Sequence, residues 1–152
     1  MIREQSGDLL RADVEALVNA VNTVGVMGKG IALKFKQTYP EMFQEYARAA
    51  RAGEVQIGAM HVWATGATSG PRFIINFPTK RHWRSPSRLA DVAAGLPSLA
   101  ETIERNEIRS VAIPALGCGH GGLDWERVEP LIRHTLEPLS AVVDVRLFPP
   151  SA

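Results

Sequence analysis

The sequence predicts a three-layer α/β fold, in which a mostly parallel central sheet is flanked by helices. Short, continuously apolar runs alternate along the chain with segments whose apolar residues recur at helical spacing. Such runs are typical of strands that are buried on both faces. Two glycine-rich loops each follow a predicted strand and open a helical segment, where ligands bind in folds of this class.

The predicted strands are taken first. A weak strand opens the chain at Ile2–Gln5. The stronger runs are Glu15–Ala20, Ala59–Thr65, Arg72–Phe77, Ser110–Ala115 and Ala141–Phe148.

The predicted helices lie between these strands, and the apolar residues of each share one helix face. Gly53 is expected to end the second helix. Ser85 or Ser87 is expected to cap the start of the third helix, and Asp124 is expected to cap the start of the fourth. Pro97 is expected to kink or split the third helix. The apolar faces are Ile31 and Phe35; Met42, Phe43, Tyr46, Ala47 and Ala50; Leu89, Val92, Ala93, Leu96, Ala100 and Ile103; and Val128, Leu131, Ile132, Leu136 and Leu139.

Composition favours one soluble domain over residues 1–152. The chain is 45% hydrophobic and 22% charged, which is typical of globular proteins, and it contains no apolar run long enough for a membrane span. A single cysteine, Cys118, and the lack of a signal-peptide pattern favour the cytoplasm. The formal net charge of +1 means that a nucleic-acid partner must be met by a local patch. The four histidines are scattered, so we expect no metal site.

The two glycine loops carry the first functional signal. The first spans Asn19–Ala32 and the second spans Pro114–Trp125. Glycines let main-chain N–H groups approach a ligand, and a helix N-terminus favours an anion. The loops therefore predict a diphosphate held from two sides, although neither matches a standard nucleotide motif, and tight turns without a ligand are the alternative.

Together with Gly7-Asp8-Leu9, these loops resemble the macrodomain family, whose ligand is ADP-ribose. The similarity runs from about Gly7 to Pro149 and keeps the order of the motifs. The resemblance implies that Asp8 accepts from the adenine amino group and that Asn22 contacts the distal ribose. A turn or cap residue is the alternative for Asp8, and a loop-capping amide for Asn22. The implied ADP-ribose-binding residues are Asp8, Leu9, Ala20, Val21, Asn22, Gly28, Lys29, Gly30, Ile31, Ala32, Thr79, Gly117, Cys118, Gly119, His120 and Gly121.

Lys80 is the predicted catalytic residue. The strand before it is expected to end at Pro78 and to deliver Lys80 to the sheet edge that carries the glycine loops. A neutral lysine amine can attack the anomeric carbon of ADP-ribose. Neutrality requires partial burial or a nearby positive charge, for which Arg81 and Arg84 are the expected sources. An exposed lysine without a chemical role is the alternative.

The run Asn76–Arg84 is similar to the lysine-dependent branch of macrodomain hydrolases, and within it to a group that acts on DNA. The resemblance implies a hydrolase that removes ADP-ribose from thymidine in single-stranded DNA, as antitoxin to a DarT-like ADP-ribosyltransferase toxin. The resemblance implies no cofactor, because ADP-ribose is the ligand and the product. It also implies no membrane partner. Members of this group usually carry a further C-terminal region, so two expectations stay open: an isolated domain, or the N-terminal part of a longer protein.

One position departs from the lysine-dependent pattern. The human member of that branch has an aspartate that helps complete turnover, and the matching residue here is Gly121. His120 is the candidate for general acid or base, because the pKa of histidine is ordinarily near neutrality. The alternative is that His120 only lines the ligand. Asp124 fits a helix cap, and Cys118 is assigned no chemistry.

Arg81, Trp83 and Arg84 are the predicted DNA-binding residues, because cations interleaved with an aromatic ring are typical of single-strand binding. The alternative is a solvated loop with Trp83 folded inward, while Trp63 and Trp125 are expected to pack. Two other functions stay open: a reader that binds ADP-ribose without cleaving it, and a hydrolase of ADP-ribosylated protein or O-acetyl-ADP-ribose.

Overall fold

A computed structural model describes residues 1–151 of the chain. Its centre is a six-stranded sheet with the order β1-β6-β5-β2-β4-β3, parallel except where β3 pairs with β4. The strands are β1 (Ile2–Glu4), β2 (Ala16–Asn22), β3 (His61–Ala64), β4 (Phe73–Lys80), β5 (Ser110–Pro114) and β6 (Asp144–Phe148). The helices are α1 (Gly30–Thr38), α2 (Pro40–Arg51), α3 (Leu89–Arg105) and α4 (Trp125–Leu136), with 3-10 turns at Leu9–Arg11 and Glu137–Leu139.

The predicted three-layer α/β fold is confirmed. Alternate residues of β2 enter two separate cores, because successive side chains of a strand point to opposite faces. Ala16 and Val18 pack in the core that holds the apolar faces of α3 and α4, whereas Leu17 and Val21 pack in the core of α1 and α2. Burying one such aliphatic side chain contributes roughly 1.5–3 kcal/mol, so the sheet is fixed from both sides. Trp63 and Trp125 pack against these cores as expected.

The end of β4 differs from the prediction. The strand does not stop at Pro78 but continues to Lys80. Pro78 cannot donate a hydrogen bond to a neighbouring strand, yet it lies where the β2–β4 pairing shifts register, between Val21 and Asn22. Such irregularities are where sheets accept proline.

Two details of α3 differ from the prediction. Of the two outcomes expected at Pro97, a split does not occur, because the helix runs unbroken from Leu89 to Arg105. Pro97 and Ala93 are both exposed, so water can satisfy the Ala93 carbonyl that the proline leaves without a donor. The N-cap residue is Arg88 and no side chain caps the helix, so neither Ser85 nor Ser87 does so.

The start of β6 also differs from the prediction. The strand begins at Asp144 rather than Ala141, because the amides of Val142 and Val143 still bond to the Leu139 carbonyl of the preceding 3-10 turn. Leu139 was expected on the apolar face of α4, but that helix ends at Leu136 and Leu139 belongs to the 3-10 turn that follows.

The strand order places the informative segments side by side. Strand β2 lies between β5 and β4, and all three run in the same direction. At their carboxyl ends, β2 leads into the first glycine loop, β4 ends at Lys80, and β5 leads into the second glycine loop. Within residues 1–151, no helix combines the length and apolar character that crossing a bilayer requires.

Candidate functional site

A cavity of about 740 Å³ opens at the carboxyl edge of the sheet, and its size is typical of a small-molecule site. Both glycine loops line it, together with the end of β4. Every residue predicted to bind ADP-ribose lies on its wall: Asp8, Leu9, Ala20, Val21, Asn22, Gly28, Lys29, Gly30, Ile31, Ala32, Thr79, Gly117, Cys118, Gly119, His120 and Gly121.

Asn22 holds the first glycine loop in shape. Its Oδ1 accepts from the main-chain amides of Val24, Gly25 and Val26 at 3.1, 3.1 and 3.3 Å. Its Nδ2 donates to the Val26 carbonyl at 2.8 Å, which leaves one N–H of the amide for a ligand. The single O–H of the buried Tyr46 lies within hydrogen-bond distance of two acceptors, Asn22 O at 2.6 Å and Asn22 Oδ1 at 3.0 Å. The loop-capping role is therefore present, and the ribose contact stays a prediction.

Asp8 likewise has a local role. Its Oδ1 accepts from the Leu10 amide at 3.1 Å and caps the 3-10 turn that follows. Asp8 is exposed and lines the cavity, so its second carboxylate oxygen can accept from a ligand. The adenine contact stays a prediction.

The second glycine loop approaches the first through His120. A Cβ added at Gly30 would lie 3.3 Å from Cδ2 of the His120 ring, so the ring rests against the start of α1. The His120 side chain is exposed at the cavity mouth. Such a contact suits a residue that closes the cavity over its contents, and the proton-transfer role stays a prediction.

The loop has no room for a side chain at position 121. A Cβ there would lie 2.2 Å from Ser87 Oγ and 2.5 Å from the Gly117 carbonyl oxygen. Gly117 adopts a φ of +75°, a conformation that favours glycine. A carboxylate at 121 is thus sterically excluded in this chain, which accounts for the departure noted in the sequence.

Lys80 lies partly buried on the cavity wall, at the last residue of β4. Its Nζ donates to the Trp83 carbonyl at 3.2 Å. Burial lowers the pKa of Lys80 below that of a free lysine, and the positive charge of Lys29 lowers it further. The predicted burial is therefore present, but the neighbouring cation is Lys29 on the first glycine loop rather than Arg81 or Arg84.

Removing the charge of Lys29 should raise the pKa of Lys80. The ammonium of Lys29 disfavours a second positive charge, so in Lys29→Gln the amine of Lys80 stays protonated up to a higher pH. NMR titration of labelled lysine side chains measures this shift directly. Lys34→Gln removes another lysine charge from the cavity wall and is the matched control, with a smaller shift expected. An unchanged Lys80 titration in Lys29→Gln would show that burial acts alone.

The predicted DNA-binding residues follow Lys80 and only one of them reaches the cavity. Trp83 lines the cavity and is 38% exposed, so it is not folded inward. The Arg84 guanidinium lies 4.5 Å from the centre of the Trp83 ring. The His82 ring stacks on the Trp83 ring, with 5.2 Å between the ring centres. Arg81 is exposed outside the cavity and pairs with Asp91 at 3.4 Å. The result is a cationic, aromatic rim beside Lys80, formed by Arg81, Trp83 and Arg84.

Charge and reactivity in the cavity suit an anionic ligand. Its ionisable lining includes three lysines, at 29, 34 and 80, against one carboxylate, at Asp8. Burial, with a smaller effect from the charge of Asp124, raises the pKa of the Cys118 thiol to about 11. The thiol stays protonated at neutral pH, as expected for a residue without chemistry.

Sequence reasoning missed part of the wall. Ser87 was expected at a helix cap. The segment from Phe148 to Ser151 begins with the last residue of β6, whose carboxyl end meets the same edge of the sheet. Strand direction is the signal that pointed to that tail. Val26 and Lys34 were also missed, although each lies two residues from a predicted one in the sequence.

Comparison with known proteins then decides the family. The sequence profile of the Macro domain matches residues 18–132. The chain belongs to the Macro domain family.

Relatives of this macrodomain share its fold over nearly its full length. A DNA ADP-ribosyl glycohydrolase of Mycobacterium tuberculosis is 58% identical over 99% of the chain and 43% of the relative. The solved macrodomain of Mycobacterium tuberculosis DarG is 58% identical, with a TM-score of 0.97 and 99% of each chain covered. Thermosipho africanus DarTG, solved in complex with ADP-ribose, is 33% identical, with a TM-score of 0.88 over 95% of this chain and 40% of that one. The chain thus spans less than half the length of the DNA ADP-ribosyl glycohydrolase it matches.

Proposed function

We propose that this macrodomain is a hydrolase that removes ADP-ribose from thymidine bases in single-stranded DNA, with Lys80 as nucleophile. The observation that carries the proposal is the placement of a partly buried amine, its pKa lowered, on the wall of a cavity formed by both glycine loops. A relative 58% identical over 99% of the chain is a DNA ADP-ribosyl glycohydrolase, which supports DNA as the substrate.

The proposed reaction has two steps. The lone pair of the neutral Lys80 amine forms a bond to the anomeric carbon while the bond from that carbon to the thymine nitrogen breaks. The proton lost by the amine goes to the thymine nitrogen. Water then adds to the same carbon and the carbon–lysine bond breaks, which releases ADP-ribose and regenerates the amine. His120 is the candidate proton carrier, and a lining role over the diphosphate is its alternative.

The chain supplies the remaining parts as binding groups. The amides of the glycine loops and the start of α1 would hold the diphosphate, beside the lysines of the wall. The rim of Arg81, Trp83 and Arg84 would hold the DNA strand, with cations at phosphates and an aromatic surface for bases. The rim abuts Lys80 through the Trp83 carbonyl, so a strand held there lies beside the reacting bond.

The proposed setting follows from the same relatives. We propose that residues 1–152 form one macrodomain, acting in the cytoplasm, where the free thiol of Cys118 stays reduced. The partner would be a DarT-like ADP-ribosyltransferase toxin, since the relative from Thermosipho africanus is a fusion of a DNA ADP-ribosyl transferase and a DNA ADP-ribosyl glycohydrolase.

A comparison of substrates tests the proposal. The chain is incubated with thymidine-linked ADP-ribose on a short single strand, with protein ADP-ribosylated on carboxylates, and with O-acetyl-ADP-ribose, and released ADP-ribose is measured by chromatography. We expect release from DNA to be at least about a hundredfold faster in kcat/KM, because only DNA engages the cationic rim. Faster release from protein or O-acetyl-ADP-ribose would contradict the DNA assignment. Tight binding without release from any of them would indicate a reader.

A further inference from the structure

Ser87 is a buried polar residue beneath the second glycine loop. Its side chain is 6% exposed, and its Oγ has no hydrogen-bond partner among residues 1–151. The residue also lines the cavity. Nearly all buried hydroxyls in native proteins are paired, so an exception in a ligand cavity needs a physical reason.

Ser87 is fastened to the loop by its main chain. Its amide donates to the Gly121 carbonyl at 2.9 Å, and the Leu123 amide donates to the Gly117 carbonyl at 2.9 Å. The hydroxyl lies close under both glycines: a Cβ on Gly121 would be 2.2 Å from Oγ, and one on Gly117 would be 3.3 Å from it. Any movement of the loop toward a ligand therefore changes what the hydroxyl can bond.

A helix-capping role does not explain the hydroxyl. Helix α3 begins at Leu89 with Arg88 as its N-cap residue, and no side chain donates or accepts at that cap. Ser87 lies one residue earlier, with its hydroxyl turned toward Gly117 and Gly121. The residue thus serves the loop rather than the helix.

We propose that Ser87 is a positioning residue for the second glycine loop, whose hydroxyl gains its hydrogen bond when a nucleotide diphosphate is held by that loop. The inference rests on the proposed function only in that ADP-ribose occupies the cavity. In the ligand-free protein the unpaired hydroxyl is destabilising. Because it gains a hydrogen bond when the ligand binds, that bond strengthens the binding. Ser87 is thereby a determinant of how tightly the loop holds its ligand.

Ser87→Ala has opposite effects on stability and affinity if this is correct. The melting temperature without nucleotide should not fall, because the variant removes an unpaired buried group. The Kd for ADP-ribose, and that for ADP, should rise about tenfold, the loss of one neutral hydrogen bond. Calorimetric titration and thermal unfolding measure the two quantities. A Kd equal to that of the unaltered chain, or a lower melting temperature without nucleotide, would overturn the proposal.

Ser110→Ala is the matched control. The Ser110 hydroxyl accepts from the Glu15 amide at 2.9 Å, at the amino end of β5 and outside the cavity. Its loss should lower the melting temperature and leave the Kd for ADP-ribose unchanged, the reverse of the Ser87 pattern. Absence of ADP-ribose binding by the unaltered chain would overturn both this inference and the proposed function. Binding without release from modified DNA would overturn the proposed function alone.

Discussion

Lys80→Ala is expected to lose at least about a thousandfold in the rate of ADP-ribose release from modified single-stranded DNA, while the Kd for free ADP-ribose changes little. The amine lies at the end of β4 on the cavity wall, and its lowered pKa leaves more of it neutral and nucleophilic near physiological pH. Alanine removes the group that forms the bond to carbon but leaves both glycine loops intact. Single-turnover kinetics measure the chemical step, and calorimetry measures binding.

Lys80→Arg separates nucleophilic attack from simple charge. Arginine keeps the positive charge at the end of β4, but its guanidinium does not lose a proton in proteins. The arginine variant should therefore bind ADP-ribose and be as inactive as the alanine variant. Lys36→Ala is the control, because the Lys36 ammonium lies over the Phe43 ring at 4.3 Å and outside the cavity, and it should turn over normally. Turnover by Lys80→Arg near the native rate would refute the covalent role.

Local patterns in the sequence were sufficient for the fold and for the cavity wall. Side chains of the buried strands alternate between two cores, and the runs around β2 and β5 are mostly apolar because both faces are covered. Parallel strand direction then brings the segments after β2, β4 and β5 to one edge. For this reason the sequence alone predicts that the glycine loops and Lys80 lie at one edge of the sheet.

Features set by distant neighbours were beyond the sequence. Serine before a helix ordinarily predicts a cap, and only the tertiary contact with Gly121 shows that Ser87 serves a loop. Likewise, the cation that lowers the pKa of Lys80 is Lys29, far from it in the chain, whereas Arg81 is adjacent in sequence and pairs with Asp91 instead. Pro78 ordinarily ends a strand, yet an irregularity in the β2 pairing accommodates it.

Asn22→Ala is expected to lower the free energy of unfolding by about 2–4 kcal/mol and to weaken ADP-ribose binding at least about a hundredfold. The Asn22 side chain is the acceptor for three loop amides and for the Tyr46 hydroxyl. The three amides would have to find water or remain unpaired, whereas the Tyr46 hydroxyl would keep the main-chain carbonyl of residue 22. The first glycine loop would lose the shape that aims its amides into the cavity. Urea denaturation measures the stability, and calorimetric titration with ADP-ribose measures the binding.

Asn22→Asp distinguishes the loop-holding role from a direct contact with the ligand. A carboxylate still accepts from the loop amides but loses the bond that Nδ2 donates to the Val26 carbonyl, so stability should fall, although by less than in the alanine variant. Its negative charge and its lack of an N–H should nevertheless weaken the binding of an anionic nucleotide. Asn106→Ala, which removes a helix-end bond to the Thr102 carbonyl away from the cavity, should destabilise the chain without changing ADP-ribose affinity. If Asn22→Asp were as unstable as Asn22→Ala, the acceptor role of Oδ1 would not be what holds the loop.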